Sequence, residues 1–187
     1  MMKALTLIII AILCFTTLTS AYSQNIKWLS FEQAVELNKK NPKKFIIDIY
    51  TDWCGWCKKM EATTYTNPVI IDYINTYYYA VKLNAERKDT VIFQGHTFVN
   101  ENKNGSHSTH QLAESLLNGK MSYPTTVFMN EKYQLLTPVA GYLTQEDLEP
   151  ILSFFALDKY LNTTYDQFKA SFVSKIAQPQ TAPIITK

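Results

Sequence analysis

Residues 44–51 read KFIIDIYT, and C-G-W-C follows at 54–57 with only Asp52 and Trp53 between. An apolar run of strand length, rich in Ile, makes a strand covered on both faces. Such a strand needs helices on both sides of its sheet, which selects a layered α/β architecture. The cysteines fall where the strand hands over to the helix CGWCKKMEATTY, which turns Lys58, Lys59 and Glu61 outward.

A C-x-x-C pair can bind zinc, attach haem, cross-link a fold or cycle between dithiol and disulfide. Haem attachment needs a His after the second Cys, where this chain has Lys58. A bridge across two residues closes almost no loop and constrains the unfolded chain little. Zinc would need two more ligands, and His107 and His110 form an H-x-x-H. Those histidines, like His96, read as solvated residues of a polar loop. Cysteines placed directly after a buried strand therefore favour redox cycling, with zinc as an alternative.

Residues 1–21 read as a cleaved export signal: Lys3, an apolar run, then Thr-Ser-Ala with cleavage after Ala21. The alternatives are an uncleaved membrane anchor or lipidation at Cys14. Removing the leader takes Cys14 with it, so the mature chain keeps one close pair of cysteines in an oxidising compartment. The 187 residues suit one domain, and a net charge of +2 without a basic stripe gives no sign of nucleic acid.

Ser30 and Gln33 form a capping-box pattern, with Phe31, Ala34, Val35 and Leu37 as an apolar face and Asn41-Pro42 as the stop. Asn67-Pro68 opens another helix with Val69, Ile70, Tyr73 and Ile74 inward, and YYAVKLNAE is a second buried strand. The order so far reads β-α-β-α-β. Residues 86–120 break it with a hairpin at Gln94-Gly95, a polar loop, and a helix THQLAESLLNG closed by Gly119. YPTTVFM and YQLLTPVAG continue as strands, Thr144 caps a helix, and 158–176 adds one more. Residues 177–187 read as a disordered tail.

Taken together, FIIDIYTDWCGWCKK resembles the strand, active-site turn and helix of thioredoxin-like proteins, above all exported bacterial ones. Asp48, six residues before Cys54, matches the family's buried acid, and Lys82 matches the strand lysine that approaches it. Pro124 matches the cis-proline facing the cysteines, and Gly141 the glycine before the last family helix. The resemblance spans about 44–155, inside a domain of 22–176 that carries 86–120 as an insertion. It implies a thioredoxin fold: a central mixed sheet with helices on both faces, plus an extra C-terminal helix.

The implied activity is protein thiol–disulfide exchange by a monomer without a cofactor, with reduction favoured. Cys54 would be the nucleophile, Cys57 the resolving thiol, Asp48 the proton acceptor and Lys82 its moderator. Trp53, Gly55, Trp56, Tyr123 and Pro124 would meet the partner, a cysteine-containing protein. A membrane electron carrier would recharge the pair. The Gly55-Trp56 dipeptide matches neither reductants nor oxidants of the family. The rival reading is a binding module with a vestigial C-x-x-C.

Overall fold

The computed structural model describes residues 25–176. Its strands are β1 (Trp28–Leu29), β2 (Lys44–Tyr50), β3 (Tyr78–Asn84), β4 (Val91–Phe93), β5 (His96–Phe98), β6 (Thr125–Met129) and β7 (Leu135–Ala140). Its helices are α1 (Phe31–Lys40), α2 (Gly55–Thr63), α3 (Pro68–Tyr77), α4 (Gln111–Leu116), α5 (Gln145–Ala156) and α6 (Tyr165–Ser171).

The apolar β2 takes the centre of a five-stranded sheet ordered β1-β3-β2-β6-β7. It pairs parallel to β3, with Asp48 opposite Lys82, and antiparallel to β6, with Asp48 opposite Thr126. Parallel pairing needs a crossover, which α2 and α3 supply. Alternation then splits the core. Phe45, Ile47 and Ile49 pack with Phe31 and Ala34 of α1, Val91 of the hairpin, and Leu112 of α4. Ile46 packs on the opposite face with Met60 of α2, Ile70 and Ile74 of α3, and Leu148 and Leu152 of α5. Each such Ile contributes about 1.5–3 kcal/mol through burial. Asp48 shares the parity of Ile46, so the sheet's one buried acid lies under α2.

The starts of the helices follow local chemistry. The Ser30 capping box is formed, Asn67 caps α3 with Pro68 in its first turn, and the Thr144 hydroxyl accepts from the Asp147 N–H. Several expectations need correction. Leu37 is exposed, and Asn38 is buried instead, because the contact face of α1 runs 31, 34, 38. The Asn38 amide earns that place by donating to Glu131 O and accepting from Lys43 N. The chain enters the sheet through the short β1, so α2, a 3-10 turn (Thr64–Thr66) and α3 together span the β2–β3 crossover.

The helix expected across 158–176 shrinks to a 3-10 turn (Lys159–Leu161) and α6. A second capping box, Thr164 with Gln167, restarts the chain there. Past α6 the chain is fastened by Glu149 of α5, a fully buried carboxylate that accepts from Ser174 Oγ (2.5 Å) and Lys175 N (2.7 Å).

The 86–120 insertion is ordered. Gln94 and Gly95 both adopt left-handed backbone (φ 49° and 78°), the conformation of a tight hairpin turn. Helix α4 starts from His110, whose ring accepts from Leu112 N. Among the described residues no helix is long and apolar enough to cross a membrane. The leader reading, Cys14 and the 177–187 tail reading lie outside the described residues.

Candidate active site

Cys54 is the N-cap of α2, and its Sγ accepts a hydrogen bond from the Cys57 N–H at 3.1 Å. That bond turns the first sulfur toward the helix's unpaired N–H groups, where negative charge is stabilised. The two sulfurs are joined in a disulfide. Both cysteines are 5% exposed, whereas Trp53 and Trp56 are 54% and 57% exposed. The reactive bond is therefore recessed and its flanking indoles stand in solvent. Gly55 has no atom within 4 Å of where a Cβ would sit, so sterics do not demand glycine there.

Beneath α2 lies the acid. Asp48 is 2% exposed, and its Oδ2 accepts from Lys82 Nζ at 2.8 Å. Burial raises its pKa above the usual carboxylate range; the Lys82 ammonium opposes the shift and Glu61 reinforces it. Lys82 also lies 3.5 Å from Glu61 Oε1 and over the rings of Tyr50 and Trp28 at 4.9 and 5.2 Å. Asp48 Oδ1 and the hydroxyls of Tyr65 and Thr126 are buried without a hydrogen-bond partner. Burial pushes the Tyr65 phenol well up, and the charge of Asp48 adds to that. A carboxyl so placed holds a proton more readily than one in water.

Pro124 is buried, and the Tyr123–Pro124 bond is cis. Gly141, with φ 99°, donates its N–H to Pro124 O at 2.8 Å, which ties β7 to the proline. Tyr123 meets the Trp53 ring edge-on at 6.0 Å and so connects this loop to the cysteine turn. On the other side, Trp56 leans on Tyr142 at 5.6 Å, with Lys59 Nζ 4.8 Å above its ring.

His96 and His107 are exposed, as the sequence reading expects, and His110 corrects it. His110 is fully buried: Nδ1 accepts from Leu112 N, so Nε2 carries the hydrogen and donates to Asp89 O at 3.0 Å. Burial holds its pKa below the ordinary value. His107 lies edge-on to Trp53 at 5.0 Å, with Nδ1 3.1 Å from Glu86 Oε1. The four residues of the zinc alternative are not gathered, and no cluster of three or more His, Cys, Asp or Glu suited to a metal occurs among the described residues.

Sequence reasoning missed Glu61, Tyr65, Thr126, Glu86, His107 and Tyr142. Glu61 stands one turn beyond Cys57 on the same helix, so helical spacing alone could have flagged it. Thr126 was available once β2 and β6 were paired. Glu86, His107 and Tyr142 reach the site from loops and leave no local signal.

Residues 31–156, well over half of the chain, match the family model of the thioredoxin-like domain. Among solved structures, a thioredoxin from Thermus thermophilus is 12% identical with a TM-score of 0.53, over 72% of this chain and 89% of that one. A thioredoxin-fold protein from Helicobacter pylori is 16% identical with a TM-score of 0.55, over 81% and 91%. Identity this low speaks to fold alone. A curated relative, the thiol:disulfide interchange protein DsbD of Pseudoalteromonas atlantica, is 30% identical over 67 residues. That stretch is 35% of this chain and 11% of that protein, a small part of its length. With its C-x-x-C pair intact at the head of α2, the chain belongs to the thioredoxin-like family.

Proposed function

We propose that this protein is an exported thiol–disulfide oxidoreductase that reduces disulfides of other proteins through Cys54 and Cys57. The observation that carries the direction is Asp48, a buried carboxyl of raised proton affinity under the helix that bears both sulfurs. In the dithiol form, the Cys54 thiolate attacks one sulfur of a partner's disulfide. That bond breaks, a mixed disulfide forms, and the partner's other sulfur leaves and takes up a proton. Cys57 then passes its proton to Asp48 and attacks Cys54 Sγ. The mixed bond breaks, and the partner departs as a dithiol with two electrons and two protons gained. This chain is left with the Cys54–Cys57 disulfide, the form seen in the structure.

An ionised Asp48 disfavours nearby thiolate and supports deprotonation of Cys57, which is the proton flow of a reductant. An oxidant instead stabilises its own thiolate, usually with a very acidic nucleophile. Export rests on the leader-like residues 1–21, and recharging then falls to an external dithiol, as on a membrane electron carrier. Turnover of insulin with dithiothreitol tests the activity. Equilibration with glutathione tests the direction: in a buffer poised near about −180 mV the couple should be mostly disulfide. A couple that stays largely dithiol there sinks the reductant reading.

A further inference from the structure

The 86–120 insertion reaches the cysteine turn through Glu86 and His107, both of which meet Trp53. His107 donates from Nδ1 to Glu86 Oε1, because a carboxylate only accepts. The same oxygen accepts from the Trp53 indole N–H at 3.0 Å, and the two rings meet edge-on. The insertion holds His107 there from a fixed base. Asn100 is buried and donates to Arg87 O and Ser108 O, while Ser108 Oγ donates back to Asn100 Oδ1 at 2.6 Å. The fully buried His110 anchors the other end, donating its N–H to Ala85 O at 2.7 Å. His107 itself has φ 60°, a left-handed backbone that disfavours residues other than glycine. Thr109 then contacts the Tyr123 hydroxyl at 3.4 Å. The insertion thus touches the residues directly before Cys54 and directly before Pro124.

We infer that His107 is a specificity-determining residue, one wall of the cleft beside Cys54 that a protein partner meets and a small disulfide does not. The inference rests on the oxidoreductase reading and deepens it. With Nδ1 engaged by Glu86, the largely exposed ring presents Nε2 to a partner, an acceptor in the neutral ring. The fitting partner segment carries a hydrogen-bond donor, side chain or backbone N–H, next to its cysteine.

The test uses the protein in its reduced form with insulin and with 5,5′-dithiobis(2-nitrobenzoate), a small aromatic disulfide. His107→Ala should lower the ratio of kcat/KM for insulin to kcat/KM for the small disulfide about fivefold, the size of one lost hydrogen bond. The loss should lie in KM and not in kcat. His107→Gln, which keeps a donor for Glu86 and an outward acceptor, should recover most of the ratio. An unchanged ratio in His107→Ala overturns the inference, as does an equal loss with both disulfides. A wild-type protein that fails to reduce insulin would instead overturn the oxidoreductase reading.

Discussion

The two tryptophans that flank the cysteines are almost equally exposed and quite differently held. Trp53 is fixed by a hydrogen bond to Glu86 and by edge contacts with His107 and Tyr123, three residues distant from it in sequence. Trp56 touches Tyr142 and, on its own helix, Lys59. Exposure therefore does not report order. With a hydrogen bond and two ring contacts, Trp53 has more of its rotamer freedom removed in advance than Trp56, which has one ring and one ammonium beside it. One wall is suited to selecting a partner, the other to adapting to it.

The largest effect expected is one that ignores this difference. Asp48 belongs to neither side, and as the proposed proton acceptor its loss in Asp48→Asn should slow insulin reduction about 100-fold. The variant should also lose the part of the pH–rate profile that follows Asp48. Stability should move the other way. A folded-state pKa raised by burial contributes stability below the unfolded value of about 3.9 and loses it as pH rises through the folded value. Thermal unfolding should therefore show Asp48→Asn gaining on the wild type at pH 8, with the gain fading toward pH 3. A variant no more stable at pH 8 would mean that Lys82 offsets the burial completely.

The comparison itself is tested by truncating each indole. Trp53→Ala removes a hydrogen bond and a preordered surface, and should raise KM for insulin about tenfold; Trp56→Ala should raise it about threefold. Equal effects would erase the distinction between a fixed and an adaptable wall.

Acid offers a gentler way to loosen only the Trp53 side. His110 is held neutral in the fold, with its pKa lowered by burial. Its stabilising contribution is present above the unfolded value of about 6.5 and is lost as pH falls through it. Amide protection across residues 99–112 should fall between pH 7 and 5, by at most about tenfold per pH unit, the limit for one proton. His110→Asn can still cap α4 and cannot titrate, so the same amides should show a flatter profile. A wild-type profile already flat would show that the insertion does not depend on His110 being neutral.

Much of the fold was legible in the chain because its signals are local. Ser30, Asn67 and Thr144 announce helix starts through chemistry acting within four residues, and the run at 44–50 announces a covered strand. The same locality places Cys54 and Cys57 at one helix start and Asp48 on the strand that leads into it. Lys82 needed the β2–β3 register as well. What stayed hidden depends on distant segments meeting. His107 and His110 sit in one polar stretch and look alike in sequence, yet one borders Trp53 and the other caps a helix inside the core. A histidine serving as N-cap gives none of the usual Ser, Thr, Asp or Asn signal. Leu37 and Asn38 exchanged places for a related reason: periodicity weighs apolarity and does not foresee that Glu131 and Lys43 will satisfy a buried amide.

Glu149 ties residues past the family match back to α5. The family match stops at residue 156, and a fragment trimmed there would retain all the strands and α5. It would also strip both hydrogen-bond donors from a carboxylate with no access to water. Leaving a buried acceptor without its partners costs about 1–3 kcal/mol, a large share of a small domain's stability. A fragment that keeps the hydrogen bonds of this carboxyl therefore runs through Lys175.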